Sequence, residues 1–91
     1  MKTAEFFDFK YSLGRYPNKP RKIVTSFIRK HIKKGMVVLD YGCGNGRHLK
    51  YMIDRGIHCM GTDVSTIAVR NANHLIGKNV AFTCPIFTIF L

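Results

Sequence analysis

Apolar residues recur along this chain with several spacings, and the order of those spacings sets the expected fold. Between Asn18 and Lys34, Ile23, Val24, Phe27, Ile28 and Ile32 return at helical intervals. Asn18 is placed to cap that helix, Pro20 is tolerated in its first turn, and Gly35 suits the position past its end. Met36 to Leu39 then run without polar interruption, the pattern of a parallel strand buried on both faces. Helical spacing returns through Leu49, Met52 and Ile53, and Ile57 to Asp63 reads as the next strand. Ser65 can cap a further helix that buries Ile67, Ala68, Ala72, Leu75 and Ile76 and stops at Gly77. Val80 to Cys84 reads as a third strand. Strands alternating with helices imply right-handed crossovers and a parallel sheet. The expected fold is α/β: a Rossmann-like doubly wound parallel sheet, truncated to a helix followed by β-α-β-α-β.

Composition narrows the setting. Ninety-one residues make one small domain at most. We divide them into an N-terminal aromatic arm, 1–17, with Phe6, Phe7, Phe9, Tyr11 and Tyr16, and a partial domain, 18–91. The chain is 46% hydrophobic and 22% charged, as expected of a soluble globular protein. It has no apolar run long enough to cross a bilayer. Glu5 and Asp8 interrupt the first aromatic residues, which is unlike a signal peptide. Cys43, Cys59 and Cys84 form no C-x-x-C pair; they point to a reducing, cytoplasmic setting and to no metal site. Ten of the Lys and Arg residues precede Gly35, which concentrates the +10 net charge at that end. A basic helix face can follow a nucleic-acid backbone, although charge runs are more often solvated faces.

The chemistry is concentrated in Asp40-Tyr41-Gly42-Cys43-Gly44-Asn45-Gly46, directly after the first strand. Glycine at every second position lets the backbone turn tightly and lets a ligand approach the main chain. A dinucleotide site would need a third glycine of G-x-G-x-x-G at position 47, where Arg47 stands. Asp40 at the strand end would repel a pyrophosphate and attract a ligand with a positive centre. A second acid, Asp63, ends the next strand. It lies about 20 residues beyond the glycine loop, where nucleoside-binding α/β units place the carboxylate that receives ribose hydroxyls.

The pattern D-x-G-x-G-x-G resembles motif I of the class I S-adenosylmethionine-dependent methyltransferases, and Gly61-Thr62-Asp63-Val64-Ser65 is similar to their motif II. The resemblance implies S-adenosyl-L-methionine as cofactor. Tyr41, Gly42, Cys43, Gly44 and Gly46 would shape the floor under its methionine part, with Asp40 ordering the loop and the ammonium group. Asp63 would hold the ribose and Val64 would lie against the adenine. In many members a segment ahead of the first strand closes over the cofactor; by that likeness Arg15 would reach the methionine carboxylate and Tyr16 would border the sulfonium.

The likeness stops with the cofactor half. Pro85 to Leu91 is apolar, where the family continues with a polar loop and further strands. The expected function is therefore that of an S-adenosylmethionine-dependent methyltransferase, present as its cofactor-binding portion and inactive alone. No residue is assigned as catalytic. The methyl acceptor is left open among small molecules, proteins and RNA, with a small molecule favoured. Two alternatives stand beside this reading, a truncated non-catalytic interaction module and a basic nucleic-acid-binding module. With no fourth strand beside it, the first strand would form an open edge through which the chain self-associates.

Overall fold

A computed structural model of the chain describes residues 3–12 and 18–84. The elements run α1 (Thr3–Ser12), α2 (Lys22–His31), β1 (Val37–Tyr41), α3 (Arg47–Asp54), β2 (His58–Asp63), α4 (Thr66–Ile76) and β3 (Ala81–Thr83). The strands form one parallel sheet in the order β1-β2-β3. This is the alternating α/β arrangement the periodicity predicts, with β1 at an edge of the described sheet.

α3 and α4 pack on the sheet, α2 on α3 and α1 on α4. The core between them is built from Ile28, Cys43, Leu49, Tyr51, Met52, Val69, Ala72 and Ala81. Glycines set the closeness of that packing. A Cβ on Gly61 would lie 2.8 Å from Cys43 Cβ and 2.9 Å from Leu49 Cδ2, so the site loop rests directly on β2. Gly46 has φ +88°, and a Cβ there would lie 2.7 Å from Ala72 Cβ, so α3 begins against α4. Gly46→Ala is expected to cost about 1–3 kcal/mol through overpacking and about 1–2 kcal/mol through the left-handed backbone. A urea titration checks it; an unchanged midpoint would mean that α3 and α4 separate freely at this point.

Two ends match the sequence closely. Ser65 caps α4, its side chain accepting from the Ala68 amide at 3.1 Å, and Gly77 closes the helix in the left-handed region. The beginning of α2 differs. Its N-cap is Arg21, without a side-chain bond, whereas Asn18 Oδ1 instead accepts from Asn45 Nδ2 at 3.2 Å. Lys19 precedes Pro20, which disfavours helical geometry, and the Arg21 amide is spent on His48 Nε2 at 3.1 Å. α2 also ends early, at His31, and Lys33 and Lys34 follow it in the turn before β1.

The burial of β1 is corrected too. Met36 to Leu39 was expected to be covered on both faces, but Val37 is 80% exposed and Leu39 55%. The helices cover the face that carries Val38, Cys59, Gly61 and Ala81, and no described element covers the other. Ile23 and Phe27, expected inside, are exposed on the outer side of α2. There Phe27 packs on the ring of its own-helix neighbour His31, with centroids 4.6 Å apart.

Candidate functional site

The upper, C-terminal edge of the sheet is organised by main-chain donors. The amides of Gly42 and Cys43 both donate to Thr62 O at 2.8 Å, tying the loop after β1 to the end of β2. Gly46 N donates to Cys43 O at 3.1 Å, and Lys50 N to Gly46 O at 2.8 Å starts α3.

Asp63 joins the two βα turns. It is 9% exposed. Its Oδ2 accepts from Gly44 N at 2.8 Å and its Oδ1 from Ser65 N at 2.9 Å. Each carboxylate oxygen has a second lone-pair site, so acceptor capacity remains for a hydroxyl.

Asp40 pairs in register with Gly61, two residues before Asp63. It is half-buried. Burial pushes its pKa up and the neighbouring Asp63 charge adds to that, with no hydrogen bond contributing. The site therefore holds two carboxylates in a chain of net charge +10, and one of them is poorly compensated. A cation placed beside such a pair would be stabilised by it. Gly42, with φ +78°, has open space where a Cβ would point, and Tyr41 beside it is exposed. Thr62 Oγ1, at the same edge, is buried without a partner among the described residues. The electronegative strand ends, with the open Gly42 beside them, suit a cationic nucleoside; Thr62, in register with Tyr41 and Phe82, lies on the other face of the sheet from Asp40.

The nucleophilic and titratable groups nearby have other duties. Cys43 is buried, and burial together with Asp40 and Asp63 pushes its thiol up to about 12, which leaves no thiolate at neutral pH. His48 is lowered by burial and by Arg47 and Arg21; its neutral Nε2 anchors the Arg21 amide. His58 starts β2, at the opposite end of the strands from Asp63. Val64 is half-buried in the turn before α4. Arg15 and Tyr16 lie outside the described residues.

One acid was missed in the sequence. Asp8 of α1 accepts from Ser65 Oγ at 2.5 Å, from Ile67 N at 3.3 Å and from Thr66 Oγ1 at 3.4 Å. These bonds, chiefly that from Ser65, lower its pKa. They also place a negative charge at the N-terminus of α4, where the helix dipole favours it. The only sequence signal was an acid in an aromatic stretch, which names no partner 57 residues away. Among the described residues no group of three His, Cys, Asp or Glu side chains is arranged to hold a metal ion, and no helix is long and apolar enough to cross a membrane.

Fold and site together define an open parallel α/β domain with an acidic pair and a glycine-rich loop at the strand ends. The chain belongs to a methyltransferase-domain family, whose profile matches residues 32–84. No curated protein matches the chain. Among solved structures, it is similar to one concerned with the conversion of a disulfide bond into a thioacetal group during echinomycin biosynthesis. That likeness has 24% identity and a TM-score of 0.77, over 92% of this chain and 39% of the other. A TehB-like SAM-dependent methyltransferase from Corynebacterium glutamicum matches at 20% identity and TM-score 0.65, over 90% and 45% of the two chains. The YjhP protein of E. coli matches at 22% and 0.62, over 88% and 36%. The chain thus spans less than half the length of these structures, and at such identities the likeness is one of fold.

Proposed function

We propose that this chain is the cofactor-binding portion of a methyltransferase, that it holds S-adenosyl-L-methionine at the upper edge of the sheet, and that it works in the cytoplasm. The observation that supports this most is the juxtaposition of Asp40 and Asp63 beside the open Gly42. S-adenosyl-L-methionine, when bound, supplies an electrophilic methyl group for transfer to a nucleophile. The chain's own residues bind and orient it. Asp63 uses its remaining lone pairs on the ribose hydroxyls while its bonds to Gly44 and Ser65 hold it still. Asp40 attracts the ammonium end. In this proposal Tyr41, Gly42, Cys43, Gly44 and Gly46 would form the floor and Val64 would border the adenine; Arg15 and Tyr16, outside the described residues, would contact the methionine end. Catalysis would rest on positioning the sulfonium against the acceptor. A small molecule is the favoured acceptor.

Binding is tested by following amide shifts in the NMR spectrum of the labelled chain during titration with S-adenosyl-L-methionine. Shifts at residues 40–46 and 63–65 are expected. Asp40→Asn should weaken binding by about ten- to a hundredfold, the equivalent of one hydrogen bond to a charged partner. A spectrum unmoved at millimolar cofactor would overturn the proposal in favour of a non-catalytic interaction module.

Asp40 also carries a pH signature. Its folded pKa is raised, so affinity falls as pH drops through a value above the ordinary aspartate range. For stability the sign is reversed. A raised folded pKa means that this group's stabilising contribution is present below its unfolded pKa and lost as pH rises through the folded one. Asp40→Asn is therefore expected to stabilise the free chain at neutral pH while weakening binding. Urea titrations at neutral and acidic pH check the first half; a destabilised variant would refute it.

A further inference from the structure

The opposite end of the sheet holds a second charged feature, of the other sign. A cleft of about 620 Å³ opens beneath the N-terminal ends of β1 and β2, lined by Lys33, Lys34, Met36, Arg55, Ile57 and His58 among others. No carboxylate among the described residues lines it. The six residues of β2 separate it from Asp63, a distance of about 16 Å at the usual rise of a strand. The cleft is therefore remote from the proposed cofactor site, and its function does not rest on that reading.

Helix ends alone do not account for these cations. α2 and α3 both finish beside the cleft, and each C-terminus contributes about −0.5 charge. Against roughly −1, Lys33, Lys34 and Arg55 bring three positive charges, and a surplus of about +2 remains. Arg55 is also pre-organised. Its guanidinium lies 3.5 Å from the centroid of the Tyr51 ring and donates once, to Tyr51 O at 3.2 Å. That bond uses one of the five guanidinium donors.

We propose that this cleft is an anion site for phosphate groups, and that its ligand is the sugar–phosphate backbone of a single-stranded nucleic acid. Phosphodiester chemistry is favoured because the cations continue beyond the cleft onto α2, through the exposed Arg29 and Lys30, as a repeating polyanion requires and a single phosphate does not. The apolar Met36 and Ile57 give the intervening sugars a surface to rest on.

The test is a fluorescence-anisotropy titration of the chain with a labelled single-stranded RNA across a range of salt. Each phosphate contact on a single strand contributes about −0.7 to the log–log salt slope, or about fivefold in affinity at 0.1 M salt. Lys33→Gln with Lys34→Gln should therefore lower affinity about 25-fold there and flatten the slope by about 1.4. Arg70→Gln with Lys78→Gln removes the same charge from exposed positions elsewhere and should change affinity much less. Equal losses in the two variants would overturn the proposal, because the attraction would then be net charge alone. Failure to bind RNA would also overturn it, as would phosphatidylserine vesicles or free nucleoside monophosphate occupying the cleft in preference to RNA. Cofactor-induced amide shifts at residues 40–46 should be the same in the Lys33/Lys34 variant and the parent, which separates failure of this site from failure of the other.

Discussion

Asp63→Ala is expected to remove about 2–6 kcal/mol of folding stability, in addition to any binding it abolishes. The carboxylate satisfies two main-chain donors, Gly44 N and Ser65 N. A buried donor left unpaired costs about 1–3 kcal/mol, and the variant leaves two. A small domain has only about 5–15 kcal/mol in total, so the upper end of that range approaches unfolding. Asp63→Asn keeps one acceptor oxygen but sets an amide donor against another donor, and should fall between the two. Urea denaturation measures the first effect. A loss below about 1 kcal/mol would mean that water satisfies both amides, and that Asp63 is free to turn wholly towards a ligand. The bonds to Gly44 and Ser65 also revise the sequence expectation, which gave Asp63 a ligand and no structural partner.

The parts read correctly from sequence are those whose cause is local. Ser65 and Gly77 bound α4 because a cap needs a side-chain oxygen and a left-handed end needs glycine. The alternation of strand and helix follows from spacing, and the glycine loop from the turn it has to make. Each miss depends on a partner distant in sequence. Asn18 is a good cap in isolation, yet it is used by Asn45. Asp8 has no periodic signature because its meaning lies at the start of α4. Ile23 and Phe27 satisfy a helical template, but that template states only which residues share a side, and the side that α3 meets is the one with Ile28 and Thr25. For β1, an apolar run shows that both faces tolerate burial and does not show that both have a cover. Within the site, the acid pair and glycines were legible as a motif. The raised pKa of Asp40 was not, since it depends on burial and on a charge from the next strand.

The uncovered face of the sheet carries the last prediction, that the 91-residue chain associates with itself through this face. The register places Val37, Leu39, Tyr41, Met60 and Phe82 on one side, and all five are exposed, between 44% and 80%. Fully burying such a side chain is worth about 1.5–3 kcal/mol. If each gains half of that, two copies together gain about 8–15 kcal/mol, against an association cost of about 4–15 kcal/mol. The gain matches or exceeds the cost over most of these ranges, so association that depends on concentration is expected. Light scattering across a concentration series should show masses rising above 10.4 kDa. The open edge of β1 offers a rival route, by strand pairing, and Phe82 separates the two. It lies on β3, across β2 from β1, so edge pairing through β1 does not require it. Phe82→Glu lowers the net charge of a basic chain, so lost association could not be put down to added repulsion. A monomeric Phe82→Glu variant is expected if the face is the contact; undiminished association in that variant would overturn the prediction and move the contact off this face.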